Sequence, residues 1–242
     1  MSALIFQRPD LALALSNRLL HPDALQLTSR DGLFLTGVRR IGKTTFIRRD
    51  LIPQLEKENA LVIYVDLSDN RERIYASEAV LSKVRESLAD LSRLSFLKAK
   101  PSAVSLQFDA KQVGPPTGVS LAQAFSEIIA TYDVNVVLII DEIQELLRSE
   151  AGLNQLAALK AARDAINLRP NNPNDTYFLL VGIGSQHSLI KSMVTGSSQA
   201  FYGSDHLVFP QLSDEYLIWQ AGQVNNPRLI SGPPAQVKAR KP

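Results

Sequence analysis

Apolar residues fall along the chain in two patterns. Five short runs are apolar almost throughout: "GLFLTG" (32–37), "ALVIYVDL" (60–67), "NVVLII" (135–140), "TYFLLVGI" (176–183) and "HLVFP" (206–210). Near-continuous apolar strands, as opposed to alternating ones, are buried on both faces, which is the signature of parallel strands sandwiched between helices. Between the runs the apolar positions recur with helical spacing, over 43–57, 76–95, 120–131, 152–168 and 186–193. "DLALALSNRLL" (10–20) adds a short amphipathic helix ahead of the first strand. Strands alternating with helices predict right-handed crossovers and a doubly wound α/β fold, with helices on both faces of a parallel sheet.

Local chemistry sharpens several boundaries. Ser120 followed by Gln123 reads as a capping box for the helix at 120–131. Pro53 kinks or restarts the first long helix, because a proline inside it has no N–H to donate and crowds the preceding turn. Residues 96–119, with proline, glycine and a strand-like "AVSLQFD", interrupt the alternation as an excursion or hairpin. "RPNNPND" (169–175) reads as a surface loop. We expect one domain over 1–222 and an extended or disordered tail over 223–242, where little is available to bury.

Composition narrows the classes. A chain of 242 residues, 45% of them hydrophobic, is long enough for a full α/β core. The 26 basic and 24 acidic residues leave a net charge of +2, which permits nucleic acid as a partner without implying it. Cysteine is absent, so disulfides, thiolate metal sites and cysteine nucleophiles are excluded. The longest strongly apolar run, "VVLII", is far too short to cross a bilayer, and no signal pattern opens the chain. The expectation is a soluble cytoplasmic protein without a membrane partner.

Candidate chemistry begins at "GVRRIGKTT", which matches G-x-x-x-x-G-K-[ST] as Gly37, Gly42, Lys43 and Thr44, placed between a buried strand and a helix. The glycines let backbone N–H groups curl inward, and the helix start adds its positive end, so Gly37, Val38, Arg39, Arg40, Ile41, Gly42, Lys43, Thr44 and Thr45 form an expected phosphate cradle. Lys43 reaches the β- and γ-phosphates, and the Thr44 hydroxyl is a Mg²⁺ ligand. The side chains of Arg39 and Arg40, at the crown of the loop, are expected to face outward; Arg48 and Arg49 are read as surface residues.

"VVLIIDEIQEL" supplies the acidic partner: Asp141 for the metal shell, and Glu142 to orient or deprotonate water. In "GIGSQHS", Ser185 or Gln186 either projects a polar group toward the γ-phosphate or, in the case of Ser185, simply caps the next helix. Gln144 is open in the same way. Asp66 is read as structural, and His187, lacking a partner at ligand spacing, is not read as a metal ligand.

Taken in order, "GVRRIGKTTF", "LIIDEIQEL", "LAALKAARD", "VGIGS" and "AFYG" resemble archaeal-type P-loop ATPases, near the AAA+ and signal-transduction ATPases, over about residues 1–220. The resemblance implies a P-loop NTPase fold with sheet order 5-1-4-3-2 and ATP with Mg²⁺ as ligand. It also implies catalytic roles for Glu142 and Lys43, metal ligation by Thr44 and Asp141, and a sensing role for Ser185. Such ATPases couple turnover to a protein partner or to self-association, as a conformational switch or small motor. They also usually continue into a helical lid or winged-helix domain, whereas this sequence reads as a tail after about 222. No lid arginine is therefore assigned, Arg228 included, and the arginine that closes on the transferred phosphate is expected from a second copy or a partner. A GTPase is disfavoured by the missing N/T-K-x-D pattern and an ABC-type ATPase by the missing "LSGGQ". Two alternatives stay open: a P-loop kinase acting on a small acceptor, and a nucleotide-dependent interaction module with negligible turnover.

Overall fold

A β-branched, apolar segment of six or seven residues buries itself most completely in the middle of a parallel sheet, and two such segments organise this protein. The structure is a computed structural model that describes residues 5–22, 30–69, 75–91, 109–114, 118–169, 175–212 and 214–224. In chain order its main elements are α1 (Pro9–Leu20), β1 (Leu33–Thr36), α2 (Lys43–Phe46, widening through Ile47–Leu51 and continuing over Ile52–Lys57) and β2 (Leu61–Asp66). There follow α3 (Ala76–Ala89), α4 (Leu121–Tyr132), β3 (Val136–Asp141) and α5 (Glu150–Asn167). The chain continues through β4 (Phe178–Gly184), α6 (His187–Thr195), β5 (Asp205–Val208) and α7 (Asp214–Val224).

The five strands form one sheet in the order β2-β3-β4-β1-β5, with every pairing parallel. This is the 5-1-4-3-2 order that the resemblance to P-loop ATPases implies. Every residue of β1, β3 and β4 is buried, as the continuous apolar runs predict for central strands. Strand β2 lies at an edge and alternates, with Val62, Tyr64 and Asp66 half-buried on one face. The β1 and β2 pairings are in phase, so Thr36 stands beside Gly184, and Asp66 beside Asp141. All the strands therefore end at one rim of the sheet, and the loops carrying the sequence motifs open there.

Each face of the sheet has its own core. Val80 and Val84 of α3, Phe125 and Ile128 of α4, and Leu159 and Ile166 of α5 pack on Ile63, Leu138, Leu180 and Phe34. On the opposite face, Leu15 and Leu19 of α1 and Phe46, Ile47, Leu51 and Leu55 of α2 cover Leu35, Ile139, Leu179 and Val181.

Helix α2 shows how a sequence constraint is absorbed. The N–H of Ile52 bonds to the carbonyl of Ile47, five residues back, and regular α-helix resumes with Pro53 in its first turn. One wide π-type turn thus removes the clash that Pro53 would make in an unbroken α-helix. Ser120 caps α4 by accepting from the N–H of Gln123 at 3.1 Å, and Ser149 caps α5 by accepting from the N–H of Gly152 at 3.1 Å.

The chain divides into two compact units. Gln7–Phe209 contains the sheet, and the second unit joins Met1–Phe6 to Pro210–Pro242. Within the second unit, Phe6 packs on Tyr216 and Trp219 of α7 at ring-centre distances of 5.4 and 5.6 Å. Residues 92–108 and 115–117, which make up most of the expected excursion, lie outside the described residues, as does the tail from 225 onward. Among the described residues no helix is long and apolar enough to cross a membrane.

Strand β4 is anchored at its start by one side chain. Asn167, the last residue of α5, accepts from the N–H of Phe178 and donates to its carbonyl, both at 2.9 Å, and donates to the Arg30 carbonyl at 3.2 Å. Removing the amide strands buried backbone groups, so Asn167→Ala should cost about 2 kcal/mol of unfolding free energy, measured by urea denaturation. A loss below about 0.5 kcal/mol would show that the clamp is dispensable.

Candidate functional site

The loop after β1 is shaped by two left-handed residues, Arg40 (φ 65°) and Gly42 (φ 89°). Gly42 adopts that conformation without the steric penalty that a Cβ brings, and it delivers the chain into α2, whose first residue is Lys43. The Lys43 side chain folds back under the loop. Its Nζ donates to the carbonyls of Gly37 at 2.8 Å and Val38 at 2.9 Å. Burial pushes the Lys43 ammonium below its ordinary pKa, the charges of Glu142 and Asp141 pull it back up, and Arg39 lowers it again.

Thr44 joins the two motifs. Its Oγ1 donates to Asp141 Oδ2 at 2.6 Å, across 97 residues of sequence. The same carboxylate oxygen accepts from the Tyr64 hydroxyl at 3.1 Å, while Asp141 Oδ1 accepts from the N–H of Glu142 at 3.0 Å. Asp141 is only 2% exposed. Burial pushes its carboxyl up, the Thr44 hydrogen bond draws it down, and the neighbouring Asp66 pushes it up again. The Tyr64 phenol is driven up strongly, first by burial and then by the Asp141 charge.

Glu142 sits in a left-handed conformation (φ 56°, ψ 42°) directly after β3, which turns its side chain along the rim. There its Oε2 accepts from Ser185 Oγ at 2.9 Å and from the Gln144 amide. Helix α6 begins after Gln186 with no side-chain cap bond. The Ser185 hydroxyl therefore bonds to Glu142 and does not serve as the helix cap. Lys43, Thr44, Thr45, Glu142 and both crown arginines line one open cleft of about 420 Å³.

One expectation is corrected. Arg39 does not turn away: its Nε lies 3.5 Å from Ser185 Oγ, the outer limit of a hydrogen bond, so its guanidinium stands over the cleft. The loop rises beside Ser185 because β1 and β4 are neighbouring strands that end together. Arg48 is exposed, as expected of a surface residue, but it is engaged, donating to Asp66 at 3.2 Å and covering the Tyr64 ring at 4.8 Å. Asp66 also accepts from the N–H of Ser68 at 3.0 Å, in keeping with a structural role.

His187 has a neighbour that its sequence context hides. Its Nδ1 and the Nε2 of His206 lie 2.9 and 3.0 Å from the buried Thr36 hydroxyl. The sequence context of Tyr64 conceals its role, since an aromatic residue in a strand reads as core. The available signal was its phase with Asp66, two residues on and therefore on the same face.

Because Tyr64 steadies the carboxylate expected to face the metal, Tyr64→Phe should raise the Mg²⁺ concentration needed for half-maximal nucleotide binding by about tenfold. A Mg²⁺ titration with nucleotide held constant measures this. An unchanged midpoint would mean that Thr44 and the Glu142 N–H alone hold Asp141.

Comparison with known proteins adds a family to this geometry. A family model described as AAA domain matches residues 27–189. Among solved structures, the chain is similar to the Aeropyrum pernix ORC2 protein in its ADPNP–ADP complexes, with a TM-score of 0.59 and 18% identity, and in its ADP form, with 0.54 and 16%. Each alignment covers 92% of this chain and 53% of that one. CDC6p from Pyrobaculum aerophilum follows with a TM-score of 0.50 and 13% identity, over 93% of this chain and 52% of that one. At such identities the likeness is one of fold, and the chain spans about half the length of these structures. No curated protein matches. A family model covering most of the sheet-bearing unit, a sheet in the implied order and a phosphate loop at its rim lead to one conclusion: the chain belongs to the AAA domain family and has its P-loop nucleotide-binding fold.

Proposed function

We propose that the chain binds ATP with Mg²⁺ and hydrolyses it, using the cycle as a conformational switch or small motor for a protein partner or a second copy. The observation that carries this reading is the 2.6 Å hydrogen bond between Thr44 and Asp141. It brings a hydroxyl and a carboxylate, both hard oxygen donors suited to Mg²⁺, to the mouth of the phosphate loop, one residue from Glu142. When bound, Mg²⁺ would supply charge neutralisation on the phosphates; Thr44 and Asp141 are the residues to hold it. That the similar ORC2 protein is described in ADPNP–ADP complexes supports adenine nucleotide as the ligand.

In this reading each residue has a distinct task. The loop backbone from Gly37 to Thr45 cradles the phosphates, and Lys43 places its charge against the β- and γ-phosphates. Glu142 accepts the proton of the attacking water, and Ser185, hydrogen-bonded to Glu142, holds that carboxylate in place. A carboxylate so held favours water over the acceptor of a kinase, and an interaction module without turnover has no use for it. A cytoplasmic setting fits this chemistry, and nucleic acid as a further ligand is permitted by the charge balance alone.

Phosphate release and ATP affinity, measured on the same preparations, test the assignment. Lys43→Ala should weaken Mg-ATP binding by at least about tenfold, since it removes a charge-assisted contact. Glu142→Gln, nearly isosteric, should bind ATP normally while turnover falls by about 10²-fold. Normal turnover in Glu142→Gln would remove that residue from the chemistry.

The supply of a closing positive charge is tested by dilution. Turnover of the isolated chain should lie well below the roughly 10 s⁻¹ typical of enzymes and should rise with self-association or partner addition, read as specific activity against concentration with size measured in parallel. Fast, concentration-independent turnover by a monomer would assign that charge within the chain, where Arg39 stands over the cleft.

A further inference from the structure

Two features near Glu142 run against local stability, and they meet at one side chain. Gln144 is fully buried, its Oε1 has no hydrogen-bond partner, and its amide nitrogen donates to Glu142 Oε2. A buried carbonyl left unpaired is a standing destabilisation that an apolar side chain of the same size would relieve. The second feature is Gly184, the last residue of a strand buried along its whole length, where a glycine packs nothing and costs chain entropy. A Cβ at Gly184 would be driven into Gln144 Oε1 and would come within 2.5 Å of Ile190 Cδ1. The glycine thus makes the room that the glutamine amide occupies. Where local rules are broken twice around one group, the group is serving something other than the fold.

The geometry shows what that is. Glu142 Oε2 takes two donors, the Gln144 amide and the Ser185 hydroxyl, while its Oε1 receives no hydrogen bond from the described residues. Two donors arriving from different elements, the turn after β3 and the end of β4, fix both the position and the rotation of the carboxyl plane. The free oxygen is then presented in one direction.

We propose that Gln144 is a positioning residue for hydrolysis: with Gly184 clearing its space, its buried amide and Ser185 clamp Oε2 of Glu142 so that Oε1 is the oxygen that meets the attacking water. This rests on the reading of Glu142 as the group that activates water. The gain is in orientation, where a misplacement of about 1 Å can cost 10²-fold in rate. Gln144 is fully buried and does not line the cleft, and so should matter for kcat and not for ATP affinity.

Gln144→Met is the decisive variant, because methionine keeps the length of the side chain, removes the donor and removes the orphaned carbonyl. The expected result is an ATP Kd within about twofold of wild type, a Tm unchanged or higher, and a kcat lower by about 10- to 100-fold. Gln144→Leu, read in the same way, serves if the methionine variant does not fold. Since Gln144 and Ser185 act on one oxygen, Gln144→Met combined with Ser185→Ala should lose much less than the product of the two single losses. A wild-type kcat in Gln144→Met, alongside a slow Glu142→Gln, overturns the positioning role and leaves the ATPase reading standing. Parallel losses of Tm, ATP affinity and kcat, multiplying freely with Ser185→Ala, also overturn it, by making Gln144 a packing residue. A wild type that binds ATP without releasing phosphate, or a Glu142→Gln that turns over normally, overturns both readings together.

Discussion

The Asp141 carboxylate is the point on which the site is assembled. A carboxylate 2% exposed must be compensated by hydrogen bonds or give up its charge, and each of its three donors comes from a different part of the structure. Thr44 brings the first turn of α2, Tyr64 brings the edge strand β2, and the N–H of Glu142 brings the turn that leaves β3. Meeting the demands of one buried charge therefore fixes the phosphate loop against the acidic strand, although β4 lies between β1 and β3 in the sheet. The strand order supplies this opportunity. Because all five strands run parallel and end at one rim, motifs about a hundred residues apart are already within side-chain reach before any of these bonds form.

Of the five non-glycine residues in left-handed backbone among the described residues, Asn59, Asp133 and Asp175 precede strands at the far end of the sheet and are Asn or Asp, which tolerate that conformation. The two bulkier ones lie at the rim of the site. Arg40 and Glu142 both occupy left-handed backbone without being glycine, which ordinarily costs of order 1 kcal/mol or more each. In the core of the same molecule the strands and helices obey ordinary rules: β-branched residues in the central strands, hydroxyl caps on α4 and α5, and a proline accommodated by a single wide turn. The contrast separates the two kinds of work done by the sequence. Burial of Phe34, Phe125, Phe178 and the central strands stabilises the scaffold, and part of that stability is spent holding two side-chain carboxylates and one ammonium in a narrow space.

What could be read from the sequence follows the same division. The apolar runs located every strand of the sheet to within two residues, because a strand buried on both faces leaves a continuous signal. The phosphate loop and the acidic strand were legible because their residue types and spacing are dictated by phosphate and metal chemistry. Contacts across the sheet were not legible. The phase of Tyr64 puts it on the same face as Asp66, but its bond to Asp141 follows only once β2 is known to pair with β3 in register. Ser185 could be read equally as a helix cap, since the choice depends on where the Glu142 side chain turns, and that is set by a left-handed residue no motif specifies. The general behaviour of such loops turns Arg39 outward; its place beside Ser185 follows from β1 and β4 being neighbours. His187 and His206 share the Thr36 hydroxyl because α6 and β5 both approach the end of β1, a proximity that eighteen intervening residues conceal.

Lys43 brings the two halves of the site into one account. An ammonium taken largely out of water is costly, and its burial here is offset by the charges of Glu142 and Asp141 and by the carbonyls of Gly37 and Val38. Those two carbonyls belong to the loop that Lys43 serves, so the side chain acts as the template around which the loop curls. The loop can hold that shape only because Gly42 reverses the chain at the helix start, and the helix start is held in turn by Thr44 on Asp141. Cation, loop and buried carboxylate therefore depend on one another, and none of them has its observed geometry in isolation.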